Sequence, residues 1–117
     1  PAKNAWKRTR PYVVSDLVKP CVKPSSSGAY PSGHTTLGTT MGIVLAEMVP
    51  EKRTQIMARA WEYGWNRIVG GVHYRSDIEA GRIAGSLIAQ SMRARDDFRV
   101  EFTEAAAELR ARLGLAR

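Results

Sequence analysis

Helix breakers cut residues 32–113 into stretches whose only consistent use is as packed helices. Leu37, Met41, Val44, Leu45 and Met48 recur at three- and four-residue spacing after Ser32, and Pro50 stops the run. This predicts a helix over 32–48 with Ser32 as N-cap. Gly38, Gly42 and Ala46 lie on another face, where the lack of side-chain bulk lets a second helix come close. A second helix is expected over 51–68, ended by Gly70-Gly71. Ile56, Ala60, Tyr63 and Arg67 lie along one side, and Met57, Trp61, Trp65 and Ile68 form the apolar side next to it. "SDIE" reads as a capping box that opens a third helix at Ser76, with Glu79 at the third position. Its apolar face would be Ile83, Leu87 and Ile88, with Gly81, Ala84 and Gly85 for close packing. A fourth helix over 96–113 would turn Phe98, Phe102, Ala105, Leu109 and Leu113 inward, with Gly114 as C-cap. Residues 1–31 are basic and rich in proline and serine, which is loop chemistry, although Tyr12-Val13-Val14 could be briefly extended. There is no internal repeat and no convincing strand. The expected architecture is an all-α helix bundle in one domain spanning 1–117, with a Pro-rich N-terminal segment (1–31) and a helical core (32–113).

Charge narrows the function. Eighteen Lys and Arg against eleven Asp and Glu leave a net charge of +7 in 117 residues, which favours an anionic partner. The lone Cys21 permits no disulfide within the chain. The longest apolar run, near "MGIVLAEMV", is too short to span a bilayer, so no transmembrane segment is expected. The chain opens on Pro1 without a signal peptide, as a processed or trimmed piece would.

The only two histidines both fall in turns suited to anions. His34 follows Ser32-Gly33 at a predicted helix start, where free N–H groups and the helix dipole attract negative charge. His73 follows "GGV" and stands four residues before Asp77. A carboxylate there can accept from one ring nitrogen, fix the tautomer and leave the other nitrogen free. Arg67, Lys3, Lys7, Arg8 and Arg10 supply cations. Two imidazoles, a carboxylate, a helix start and several cations fit phosphoryl transfer, with one histidine attacking phosphorus and the other protonating the leaving oxygen. Zinc would need three or four ligands at suitable spacing, and no Cys or Glu cluster accompanies these histidines.

The same residues resemble the three-part signature of the superfamily that holds type 2 phosphatidic acid phosphatases, bacterial class A non-specific acid phosphatases and vanadium haloperoxidases. The signature reads Lys-x6-Arg-Pro, Pro-Ser-Gly-His and Ser-Arg-x5-His-x3-Asp. Here Lys3 is followed by Arg10-Pro11, then Pro31-Ser32-Gly33-His34, then Arg67, His73 and Asp77 at the matching spacing. Asn66 stands where the family has serine; its longer amide would shift the contacts around Arg67. The flanks "GAYPSGHTTLG" and "WEYGWNRIVGGVHYRSDIEAGRIAG" are most similar to the class A acid phosphatases. The resemblance runs from about Lys3 to Leu109.

It implies that His73 is the nucleophile, that Asp77 orients it, and that His34 protonates the leaving alcohol and then activates water. It also implies that Lys3, Arg10, Ser32, Gly33 and Arg67 bind the phosphoryl group, with no metal and no cofactor. The substrate would be a phosphate monoester, the product inorganic phosphate and the location periplasmic or secreted. Family members carry helices ahead of the first motif, so the chain is expected to be the C-terminal catalytic part of a longer fold, or an unusually short member. Its apolar faces, left uncovered, would invite a homodimer. Trp6, Tyr12, Tyr30 and Tyr74 are candidates for the pocket mouth. The alternatives are a vanadium-dependent haloperoxidase, in which the same pocket holds vanadate, a truncated remnant without catalysis, and a basic helical domain that binds anions or nucleic acid. No nucleic-acid recognition motif is present, so nucleic acid is not an expected partner.

Overall fold

The computed structural model describes residues 2–116. The helices are α1 (Ala2–Trp6), α2 (Pro11–Val14), α3 (Gly33–Met48), α4 (Arg53–Val69), α5 (Arg75–Arg93) and α6 (Asp96–Arg112), with a 3₁₀ turn at Pro50–Lys52. The described residues contain no strand. Pro11–Val14 is a helical turn rather than an extended piece: Pro11 presets φ at the first helical position, and Val13 and Val14 both donate to Arg10 O.

α3 is the central element, packed between α4 and α5. Its buried residues are Thr35, Thr39, Thr40, Gly42 and Ala46. The small-residue face is therefore the core face, and Leu37 and Met41, expected inside, are more than half exposed. Close approach of two helices decides this. A Cβ on Gly42 would meet the Ala60 Cβ at 2.6 Å, and one on Gly85 would meet Thr36 O at 2.6 Å. Bulky side chains cannot enter seams that narrow. Threonine can, because its hydroxyl bonds locally: Thr36 Oγ1 donates to Ser32 O, and Thr40 Oγ1 reaches both Thr36 O and Gly85 O.

The same logic corrects the faces expected for the other helices. α5 buries Asp77, Ile78, Gly81, Gly85 and Ala89, while Ile83, Leu87 and Ile88 are exposed. α4 buries Ala60 and Gly64, while Trp61 and Trp65 stack on each other near the surface, with Arg82 over the Trp61 ring. α6 has no buried residue; Phe98, Phe102 and Leu109 are half-buried, and Ala105 and Leu113 are exposed. Arg110 ties its far end back to the bundle through Glu51 and Met48 O. Gly114 lies at φ +68 just beyond α6, in the left-handed region that favours glycine.

The third helix is capped two residues earlier than the "SDIE" reading expects. Tyr74 is the N-cap, and Asp77, at the third helical position, accepts from the Tyr74 N–H at 2.9 Å. Asp77 takes the reciprocal role foreseen for Glu79, which instead pairs with Arg75 at the surface.

Candidate active site

Three loop-to-helix junctions meet at one end of the bundle. Ser32 starts α3, as expected: its Oγ accepts from the N–H and hydroxyl of Thr35. Its own N–H donates to Asp77 O at 3.0 Å, which locks the start of α3 to the start of α5. Gly64 of α4 and Gly81 of α5 both press on Thr35, so the three helices converge there. Gly71, at φ +73, turns the chain sharply after α4 and delivers His73 into this junction.

His73 and Asp77 are buried, and His73 Nδ1 lies 3.1 Å from Asp77 Oδ2. On the far side of the ring, Arg10 Nη1 lies 3.2 Å from Nε2. A guanidinium can only donate and a carboxylate only accept. Together they assign the proton to Nδ1 and leave a lone pair on Nε2. Burial pushes the His73 pKa down to about 4, against the raising influence of its bond to Asp77; Arg10 and Lys3 push it down further. His73 is therefore neutral through the mildly acidic range.

His73 lines a cavity of about 220 Å³ together with Lys3, Arg10, Lys23, Ser25, Ser27, Gly33, His34, Arg67 and Val72. Small-molecule pockets usually hold about 300–1,000 Å³, so this one suits a small anion better than a whole organic ligand. A cleft of about 640 Å³ adjoins it and shares Lys3, Arg10, Ser25 and Ser27 with it.

Backbone carbonyls hold two of the cations in place. Lys3 Nζ donates to Gly28 O at 2.9 Å. Arg10 is braced by Ser27 O, Gly28 O and Val72 O. Burial lowers the Lys3 pKa, helped by Arg10 and opposed by Asp77. Arg67 Nε is buried without a hydrogen-bond partner among the described residues. An unpaired guanidinium nitrogen beside a cavity wall is a donor awaiting an acceptor. Gly33 and His34 stand in the first turn of α3, where a helix cannot satisfy its own N–H groups. His34 is exposed, with its ring 5.8 Å from the Tyr63 ring. Burial lowers its pKa first, then Arg67, Lys3 and Arg10.

Of the residues singled out in the sequence, Lys3, Arg10, Gly33, His34, Arg67 and His73 line one cavity, and Asp77 stands directly behind His73. Ser32 does not line it: its side chain is fully buried as the helix cap. Trp6, Tyr12, Tyr30 and Tyr74 also lie outside its wall, but Tyr12 lines the adjoining cleft; Trp6 packs on Tyr30, Tyr12 bonds Ser25 O, and Tyr74 lies under Arg8. The Asn66 side chain is exposed and does not reach Arg67 Nε. Sequence reasoning assigned nothing to Lys23, Ser25 or Ser27, and only charge to Arg8. No spacing rule distinguishes them, because the loop that brings them in has no period. Among the described residues, no three His, Cys, Asp or Glu side chains gather as a metal-binding group.

Known proteins resemble this chain over most of its length. The family model of the PAP2 superfamily matches residues 1–99. An acid phosphatase of Zymomonas mobilis is 39% identical over 112 residues, covering 92% of this chain and 42% of that protein. A non-specific acid phosphatase of Salmonella typhimurium is 38% identical, covering 74% of this chain and 36% of the relative. One of Providencia stuartii is 34% identical, covering 89% and 44%. The chain thus spans well under half the length of these relatives. With the family model matching most of its residues, and with its signature residues around one cation-lined cavity, the chain belongs to the PAP2 superfamily.

Proposed function

We propose that this chain carries the catalytic site of an acid phosphatase, which hydrolyses phosphate monoesters through a phosphohistidine and without a metal. The observation that carries the reading is the His73 ring: Nδ1 is committed to Asp77, and the residue lines one cavity with Lys3, Arg10, Arg67, Gly33 and His34. In the first step Arg10 Nη1 exchanges its contact with Nε2 for a phosphoryl oxygen, and the Nε2 lone pair attacks phosphorus. The P–O ester bond breaks, and protonated His34 gives its proton to the leaving oxygen. The His73 ring becomes cationic as the P–N bond forms, and Asp77 balances that charge. Lys3, Arg10, Arg67 and the N–H groups at the start of α3 neutralise the equatorial oxygens. In the second step neutral His34 takes a proton from water. The water oxygen attacks phosphorus, the P–N bond breaks, and inorganic phosphate leaves with His73 restored. Ser32 acts through the helix start that it caps. The family resemblance further supports action in the periplasm or outside the cell.

The test is phosphate release from a chromogenic aryl phosphate at mildly acidic pH with chelator present, on this chain and on His73→Ala. Chelator-resistant turnover that vanishes in the variant is the expected result. Turnover that survives the substitution, or that chelator abolishes, would overturn the reading.

A further inference from the structure

Asp77 carries more partners than an orienting carboxylate needs. Its Oδ2 accepts from His73 and from the Tyr74 N–H, and its Oδ1 accepts from Arg8 Nη1 at 2.9 Å. The same Nη1 lies 2.6 Å from Ser76 Oγ, and the guanidinium sits 4.3 Å above the Tyr74 ring. Arg8 is absent from the cavity wall, so it is not one of the phosphoryl-binding cations. It touches the nucleophile only through Asp77.

That placement has an electrostatic consequence. A buried carboxylate bonded to an imidazole stabilises the protonated ring, and a ring protonated on Nε2 has no lone pair to attack phosphorus. A second cation on the other carboxylate oxygen opposes this. Asp77 is fully buried while the Arg8 side chain is 37% exposed, so solvent screens the opposing charge in part. We infer that Arg8 is a positioning residue that, by engaging Asp77 on the oxygen opposite His73, keeps His73 in its neutral, nucleophilic form under acidic conditions. The inference rests on the phosphohistidine reading for its catalytic meaning and on the ion pair for its geometry. The other charged groups around His73 are Arg10 of the N-terminal segment, Lys3 of α1 and Asp77 of α5; Lys23 of the N-terminal segment, Arg67 of α4 and His34 of α3 line the same cavity.

The experiment follows the two imidazoles of the full chain by ¹H–¹⁵N NMR across pH, with His34→Ala to assign the signals. It is run on the parent, Arg8→Gln, Arg8→Lys and Ser76→Ala, alongside pH–rate profiles. In Arg8→Gln the His73 midpoint should rise by about one pH unit, the usual size of a neighbouring-charge effect. The acid limb of kcat/KM should move up with it, while KM at neutral pH changes little. Arg8→Lys should titrate near the parent, because a single nitrogen makes both contacts and an ammonium can replace it. Ser76→Ala, which loosens Arg8 without removing it, should shift the midpoint less and in the same direction, and it decides the matter should Arg8→Gln fail to fold. A midpoint that is unchanged or lower in the folded variants would overturn the inference. The NMR midpoint needs no turnover: a shift in a chain without phosphatase activity would leave the role of Arg8 standing and sink the phosphohistidine reading alone.

Discussion

At the scale of single residues, the two histidines are tuned in ways that complement each other. The proposed first step needs His73 neutral and His34 protonated. Burial drives His73 down to about 4, so it is neutral above that value. His34 is also lowered from its ordinary value, so its acid form is present only below that depressed point. kcat/KM should therefore be bell-shaped, with its maximum above about 4 and below the ordinary imidazole range. A profile still rising at neutral pH would contradict this assignment. Arg67 is the largest charged contributor to the lowering of His34. Arg67→Gln should reduce activity and also move the alkaline limb to higher pH, because one repelling cation is gone. Asp77→Asn should cost about a hundredfold or more in kcat, since an amide cannot balance the cationic phosphohistidine and can present a donor to Nδ1. Single-turnover measurements would separate that loss from weaker binding.

At the scale of helices, the narrow seams of α3 govern stability. Gly85→Ala would bring a methyl group against backbone, Thr36 O at 2.6 Å and Thr40 N at 3.2 Å, where little can give. It should cost about 1–3 kcal/mol, with α5 displaced from α3. Gly38→Ala meets the ring of Tyr63 at 2.7 Å, a partly exposed side chain able to swing away, so it should cost clearly less. Urea titration of the two variants checks the order. Gly81→Ala is the variant that links packing to chemistry. Its methyl group would press on Ser32 O and the Thr35 Cβ, both at 2.8 Å, beside the Ser32 N–H to Asp77 O bond. It should lower kcat as well as the unfolding midpoint.

At the scale of the whole molecule, the bundle is thin. Among the described residues the buried apolar ones are Ala29, Ala46, Val49, Ala60, Val72, Ile78 and Ala89, four of them alanine. The radius of gyration is 16.6 Å, where a compact chain of about 100 residues has roughly 13 Å. Leu37, Met41, Ile83 and Leu87 remain more than half exposed. A modest core makes bound anion a visible share of the stability. Inorganic phosphate should raise the melting temperature progressively with the logarithm of its concentration, the added stability reaching about 2.7 kcal/mol at a hundred times its Kd, and Arg67→Gln should abolish most of the rise. Differential scanning fluorimetry reads both. pH acts through His73, whose pKa is lower folded than unfolded. Its stabilising contribution is complete above the unfolded value near 6.5 and is lost as pH falls toward about 4. A melting temperature flat across that window would contradict the depressed pKa of His73.

Much of this was legible in the residues alone, because punctuation and spacing are local. Ser32, Pro50, Gly70-Gly71 and Gly114 mark helix ends by backbone chemistry that needs no tertiary partner. The spacing of His73 and Asp77 puts both side chains on one side of a helix start whatever surrounds them. Which face of each helix lies inside was decided only by packing. Periodicity picked the large apolar stripes, yet α3 serves two neighbours at once, and only its Gly, Thr and Ala face admits both. The identity of the site cations divides in the same way. Lys3, Arg10 and Arg67 could be named by motif. Lys23, Ser25, Ser27 and the Arg8–Asp77 pair depend on how a loop without periodicity folds back over the junction of α3 and α5. Sequence thus determined which chemistry the chain carries and where its helices break, since both are written in short-range residue choices. Tertiary structure alone decided what is buried, and which charge opposes which, because those depend on distances between segments far apart in the chain.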